Sequence, residues 1–150
     1  MSVDKRSWQG SERRDIFKRL HKQLNGSFYG CDLDFTLVSK YPPGIVAFLD
    51  YKTPWDMVQF SEVLAYNDLM DKAPVYIIEA SNPQTGPFTI RQYKGGDWRP
   101  NPPKVQLQTV AVCSDWEALG RWERDLRMRY NKMAFAPNRN PLVNLVAEAS

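Results

Sequence analysis

The sequence predicts an α/β fold, a small mixed β-sheet flanked by helices. Three observations carry this. Ile45-Val46-Ala47-Phe48-Leu49 is apolar at every position, the pattern of a strand covered on both faces. A helical segment and then a second apolar strand, Ala73 to Ala80, follow it, and strands joined through a helix imply a right-handed parallel crossover. Phe88 to Tyr93 then alternates as a further strand, with strand character resuming from Val105 to Val112.

Bulk properties agree with one folded unit. The chain has 150 residues, 43% hydrophobic and 13% aromatic, which excludes a disordered chain. A single domain over residues 1–135 with a C-terminal tail at 136–150 is the simplest division. The formal charge of +3 permits nucleic-acid binding. Cys31 and Cys113 are too few for a disulfide framework and too far apart for a metal-binding cysteine pair, so both read as reduced core thiols. With no apolar run long enough to span a bilayer and no recognisable export signal, the expectation is a cytoplasmic protein without membrane contact.

Residues 11–24 read as a first helix, with Ser11 as N-cap and Ile16, Phe17, Leu20 and Leu24 at helical spacing. Its other side carries Arg13, Arg14, Lys18, Arg19 and Lys22, a solvated face or a contact for phosphates. A hairpin follows. In its first arm Leu33, Phe35 and Leu37 alternate with Asp32, Asp34 and Thr36, so carboxylates share one face. Tyr41-Pro42-Pro43-Gly44 supplies the turn, and the apolar second arm ends in Asp50-Tyr51-Lys52. Thr53-Pro54-Trp55-Asp56 reads as the start of a helix running to about Asp71, with Met57, Phe60, Val63 and Leu64 inward and Gln59, Glu62 and Tyr66 on a polar stripe.

Lys94 to Lys104 reads as an exposed loop in which Trp98 either pins the loop or stacks on a base beside Arg99. Ser114-Asp115-Trp116-Glu117 opens a last helix to about Asn131, buried through Leu119, Trp122 and Leu126. Its Arg121 and Arg124, with Arg127 and Arg129, are candidates for lining a nucleic-acid backbone.

The chemistry concentrates where the hairpin ends. Residues two apart in a strand point the same way, so Asp50 and Lys52 share a face, and pairing brings Asp32 or Asp34 alongside. A D-x-K at a strand end commonly forms a solvated salt bridge. Here it follows a wholly apolar strand, where unpaired charge is costly. Two carboxylates and a backbone carbonyl such as that of Tyr51 make an all-oxygen site suited to Mg2+ or Mn2+, and the Lys52 ammonium is placed to hold a water or stabilise phosphoryl charge.

These residues resemble the PD-(D/E)xK nuclease superfamily, the restriction-endonuclease-like proteins. Asp34, or Asp32, followed by Asp50-Tyr51-Lys52 is similar to its motif, although Cys31-Asp32-Leu33-Asp34 supplies no proline before the acid. The resemblance covers roughly Ser11 to Tyr93. It implies a restriction-endonuclease-like three-layer core and a metal-dependent hydrolase of phosphodiester bonds, with DNA favoured over RNA. It further implies Asp34 and Asp50 as metal ligands with Asp32 as the alternative first ligand, Lys52 as a catalytic residue, Gln59 on the next helix turned towards the site, and Glu12 as an acid approaching the metal from the first helix. A homodimer would suit double-strand cutting. The competing expectation is an inactive module of the same fold that binds nucleic acid or a protein partner.

Overall fold

In a computed structural model, the described residues are 33–134 together with Glu12, Asp15, Ile16, Arg19 and Leu20. The chain divides into two compact units, Met1–Cys31 and Asp32–Ser150. In the first, the five described residues are helical, as the spacing predicts, and all five are exposed, Ile16 and Leu20 of the apolar stripe included.

The second unit is α/β. Its strands are β1 (Phe35–Lys40), β2 (Pro43–Lys52), β3 (Val75–Glu79), β4 (Phe88–Asp97) and β5 (Lys104–Cys113), with helices α1 (Phe60–Leu69) between β2 and β3 and α2 (Trp116–Ala134) after β5. The five strands form one sheet in sequence order. It is mixed: β2 and β3 run parallel, as their helical connection requires, and the other three pairs are antiparallel.

Alternation along the strands divides the core between the sheet's two faces. Leu49, Tyr76, Ile78 and Ile90 pack with Leu119 and Leu126 of α2. Phe48, Val75, Ile77 and Tyr93 pack with Tyr66 of α1. Of the run predicted to be covered on both faces, Val46 to Leu49 is buried throughout, whereas its first residue, Ile45, is 37% exposed. β1 is an edge strand, and its Phe35 and Val38 remain exposed.

Helix α1 starts later than its sequence suggests. Asp56 accepts the Thr53 N–H at 3.0 Å through Oδ2 and returns its own N–H to the Thr53 carbonyl at 3.0 Å. That closed turn consumes the capping chemistry of Thr-Pro-Trp-Asp. The helix begins instead at Gln59, whose N–H donates to Glu62 Oε1 at 2.9 Å. Its inward face is also different. Val63 and Tyr66 are fully buried and Glu62 nearly so, whereas Met57, at 56% exposed, and Leu64 face outward.

A close approach seats α1 on β4. A Cβ on Gly96 would lie 2.7 Å from the Tyr93 hydroxyl, 2.9 Å from the Lys104 carbonyl oxygen and 3.2 Å from Val63 Cγ1, so only glycine fits without displacement. Asn67 bridges the gap, donating to the Gly96 carbonyl at 3.1 Å and accepting from the Tyr93 hydroxyl at 2.6 Å. Tyr93 in turn meets Tyr66 edge to face, with centroids 5.2 Å apart. The predicted loop from Lys94 is therefore strand as far as Asp97, its Gly95-Gly96 absorbed by a register shift between Tyr93 and Gly96.

At the other end, Asp115 caps α2 by accepting the Ala118 N–H at 2.8 Å; the predicted cap of Ser114 moves one residue on because the helix begins at Trp116. Leu119 and Leu126 are buried, and Trp122 packs edge to face on Tyr76 at 5.0 Å. Cys113 is buried with a free thiol. Cys31 and residues 136–150 lie outside the described residues.

Candidate active site

The D-x-K of β2 stands where β1 has begun to diverge and α1 closes over the sheet. Phe35 pairs with Leu49, so Asp34 falls beside Asp50 on the same face. Asp34 Oδ2 accepts the Tyr51 N–H at 2.8 Å. This contact also orients the Tyr51 carbonyl. The Lys52 carbonyl accepts the Ala80 N–H on the β3 side, and the N–H and C=O of one strand residue point the same way, alternating along the strand. The Tyr51 carbonyl therefore faces the β1 side with its N–H, towards Asp34.

Asp50 is buried, 4% exposed, under Tyr66, whose hydroxyl donates to Oδ2. Burial is the largest influence on its carboxyl, and the adjoining Asp34 carboxylate adds to it; together they push the pKa up to about 7 against the opposing pull of Tyr66 and Lys52. Burial and the neighbouring Asp50 and Glu62 hold the Tyr66 hydroxyl far above its ordinary range, so it stays a proton donor. Burial, then Glu123 and Asp34, push Tyr51 up to about 12.

Lys52 points along the same face. Its ammonium lies 2.8 Å from Glu62 Oε2 and 3.0 Å from Oε1, in a pair whose side chains are only 12% and 11% exposed. The Tyr66 hydroxyl also lies 3.0 Å from Glu62 Oε2, so its single proton is shared between Asp50 and Glu62. Asp50, Tyr66, Glu62 and Lys52 thus form one connected network. Glu62 belongs to the centre and not to the polar surface, the correction that the later helix start brings with it.

Of the residues singled out in the sequence, Asp34, Asp50, Tyr51 and Lys52 are brought together. Gln59 is the N-cap of α1, exposed, and it contributes its backbone N–H to Glu62. Asp32, Arg13, Arg14 and Lys18 lie outside the described residues. Glu12 is an exposed helical residue of the first unit. Arg121 and Arg124 are exposed on α2, which covers the face of the sheet opposite Asp50; Arg121 pairs with Glu117 at 3.5 Å. Trp98 is half exposed, and Arg99 makes a two-pronged contact with Asp97 at 2.9 and 3.0 Å.

Glu62, expected on the polar surface, is the residue that the structure moves to the centre, with Tyr66 beside it. Their i, i+4 spacing was visible; the partners that bury them come from β2.

Whether a hard cation suits this centre is a question of donor chemistry. The set is all oxygen: the Asp34 and Asp50 carboxylates and the Tyr51 carbonyl. Burial and the adjoining Asp34 raise the cost of ionising Asp50, and a divalent cation would remove it. The residues therefore fit Mg2+ or Mn2+. Among the described residues no group of three or more His, Cys, Asp or Glu side chains is arranged around a common point, so the third donor here would be backbone.

No protein-family model matches the chain, and no curated protein and no solved structure matches it. Among the described residues no helix is long and apolar enough to cross a membrane.

Proposed function

We propose that this chain is a metal-dependent nuclease that hydrolyses phosphodiester bonds, with DNA favoured over RNA, and that its α/β unit is a restriction-endonuclease-like core. The observation that carries the reading is the convergence of Asp34, Asp50, the Tyr51 carbonyl and Lys52 at one end of two parallel strands. Asp34, Asp50 and the Tyr51 carbonyl would hold Mg2+ or Mn2+, which when bound supplies a polarised phosphoryl oxygen and a more acidic water. Tyr66 fixes the Asp50 carboxyl through Oδ2. Lys52, held by Glu62, presents a localised positive charge to the scissile phosphate.

The test is incubation of the purified protein with single-stranded, double-stranded and branched DNA and with RNA, in Mg2+, Mn2+ or EDTA, beside Asp50→Asn. Cleavage that requires both the cation and Asp50 supports the reading. Cleavage that survives Asp50→Asn removes the assignment.

One observation favours a second reading, an inactive module that binds nucleic acid or a protein partner. Both Lys52 and Asp50 already have protein partners, in Glu62 and Tyr66, as a structural ion network would. Nucleic-acid binding without cleavage under every condition supports that module.

A further inference from the structure

A cleft of about 250 Å³ opens on the α1 face of the sheet, and Lys52 forms part of its wall. Ile77 of β3 and Val105 and Leu107 of β5 line it from the sheet, and Pro54 and Pro102 line it from the flanking loops. These are flat or branched apolar surfaces without hydrogen-bonding side chains. The polar groups of the cleft besides Lys52 include Glu79 and Arg91, which pair at 3.2 Å across β3 and β4. The Arg91 side chain remains 38% exposed, so its guanidinium has donors directed elsewhere.

Size and chemistry narrow the occupant. The volume lies just below the roughly 300–1,000 Å³ of sites for drug-sized ligands, and it equals the share of about eight waters at ~30 Å³ each. One planar heterocycle fits; a base pair does not. Apolar side chains offer dispersion contact to the flat face of a base, while a carboxylate acceptor beside a guanidinium donor matches its mixed donor and acceptor edge. Lys52 is common to the cleft and to the Asp34–Asp50 centre, so a strand with its phosphate at that centre has a neighbouring base within reach of the cleft.

We infer that this cleft is a subsite for one unpaired nucleobase, and that the substrate class is single-stranded or frayed nucleic acid; the inference rests on the nuclease reading for its placement of the phosphate. Duplex DNA keeps its bases stacked and paired, and entry would require one to be extruded.

The experiment is a methyl-detected NMR titration of the full chain in EDTA, with the dinucleotides d(ApA) and d(TpT) and with a short blunt duplex as probes. The expected result is saturable shifts at Ile77, Val105 and Leu107 with the dinucleotides and weaker binding of the duplex. Val105→Trp, which fills the cleft, should weaken dinucleotide binding about tenfold or more, as loss of the bound base's contacts requires. Arg91→Gln, which leaves the apolar lining in place, should weaken it less. Shifts confined to other surfaces, equal binding of the duplex, or a folded Val105→Trp protein with unchanged affinity would overturn the subsite. Because the readout needs no metal and no cleavage, dinucleotide binding in the cleft of a protein that cuts nothing would remove the nuclease reading alone. Cleavage by a protein whose cleft stays empty would remove the subsite alone.

Discussion

The Lys52 ammonium sits 2.8 Å from Glu62 Oε2, both side chains almost wholly out of solvent. Such a pair is costly to break from one side, because the remaining charge stays buried. Glu62→Ala should lower stability by about 3–5 kcal/mol. Glu62→Gln should be milder, since it keeps hydrogen-bonding groups for Gln59 and Tyr66. Denaturant unfolding of both variants beside Lys52→Met and the double variants reads the coupling. Equal losses in the presence and absence of Lys52 would show that the pair contributes nothing.

Tyr66→Phe removes a hydroxyl from two carboxylates while keeping the ring against Tyr93. The cost should be about 1–3 kcal/mol. The hydroxyl lowers the Asp50 pKa, so its removal should move the Asp50 titration upward from about 7. Carboxyl carbon NMR shifts against pH measure it directly.

The raised Asp50 pKa sets a pH dependence. In the folded protein the carboxyl keeps its proton up to about 7, whereas the unfolded chain releases it near its ordinary value of 3.8. Between those values the folded state binds more protons, so the Asp50 contribution to stability falls as pH rises. In EDTA the melting temperature should be higher at about pH 5 than at about pH 8, and Asp50→Asn should flatten the difference. Mg2+ or Mn2+ should reverse it at the higher pH, adding about 2.7 kcal/mol at a concentration 100 times Kd. Thermal melts across pH, with and without cation, check both.

Gly96→Ala should destabilise the α1 contact by about 1–3 kcal/mol. The Cβ would press on the Tyr93 hydroxyl, the Lys104 carbonyl and Val63 without touching Asp50 or Lys52. Native-state hydrogen exchange should show the loss concentrated in α1 and β4, and an unchanged protection pattern would contradict the packing account.

How far the fold could be read in advance differs from place to place. The doubly buried strand β2 and its parallel partner β3 were legible because unbroken apolar runs have few other uses. The D-x-K and its neighbour Asp34 were legible because period-two geometry puts them on one face. The start of α1 was not. Thr-Pro-Trp-Asp satisfies the helix-cap pattern and the closed turn equally well, and only the chain's path after β2 selects the turn. Glu62 reads as outward because polar groups ordinarily are, and nothing in the helix pattern marks Tyr66 as its buried partner. Their burial depends on Lys52 and Asp50, partners at sequence separations of 10 and 16 that no helical periodicity contains. Gly95-Gly96 looked like a loop because the bulge that uses them is defined by β5 and α1.

The most direct measurement is Mn2+ binding by calorimetry and electron paramagnetic resonance, on the wild-type chain, Asp34→Asn and Asp50→Asn. A cation site at the carboxylate pair is expected, with affinity about tenfold or more weaker in either variant, the scale of losing ~1.4 kcal/mol or more of binding energy. Folded variants that bind Mn2+ as tightly as the wild-type chain would contradict it.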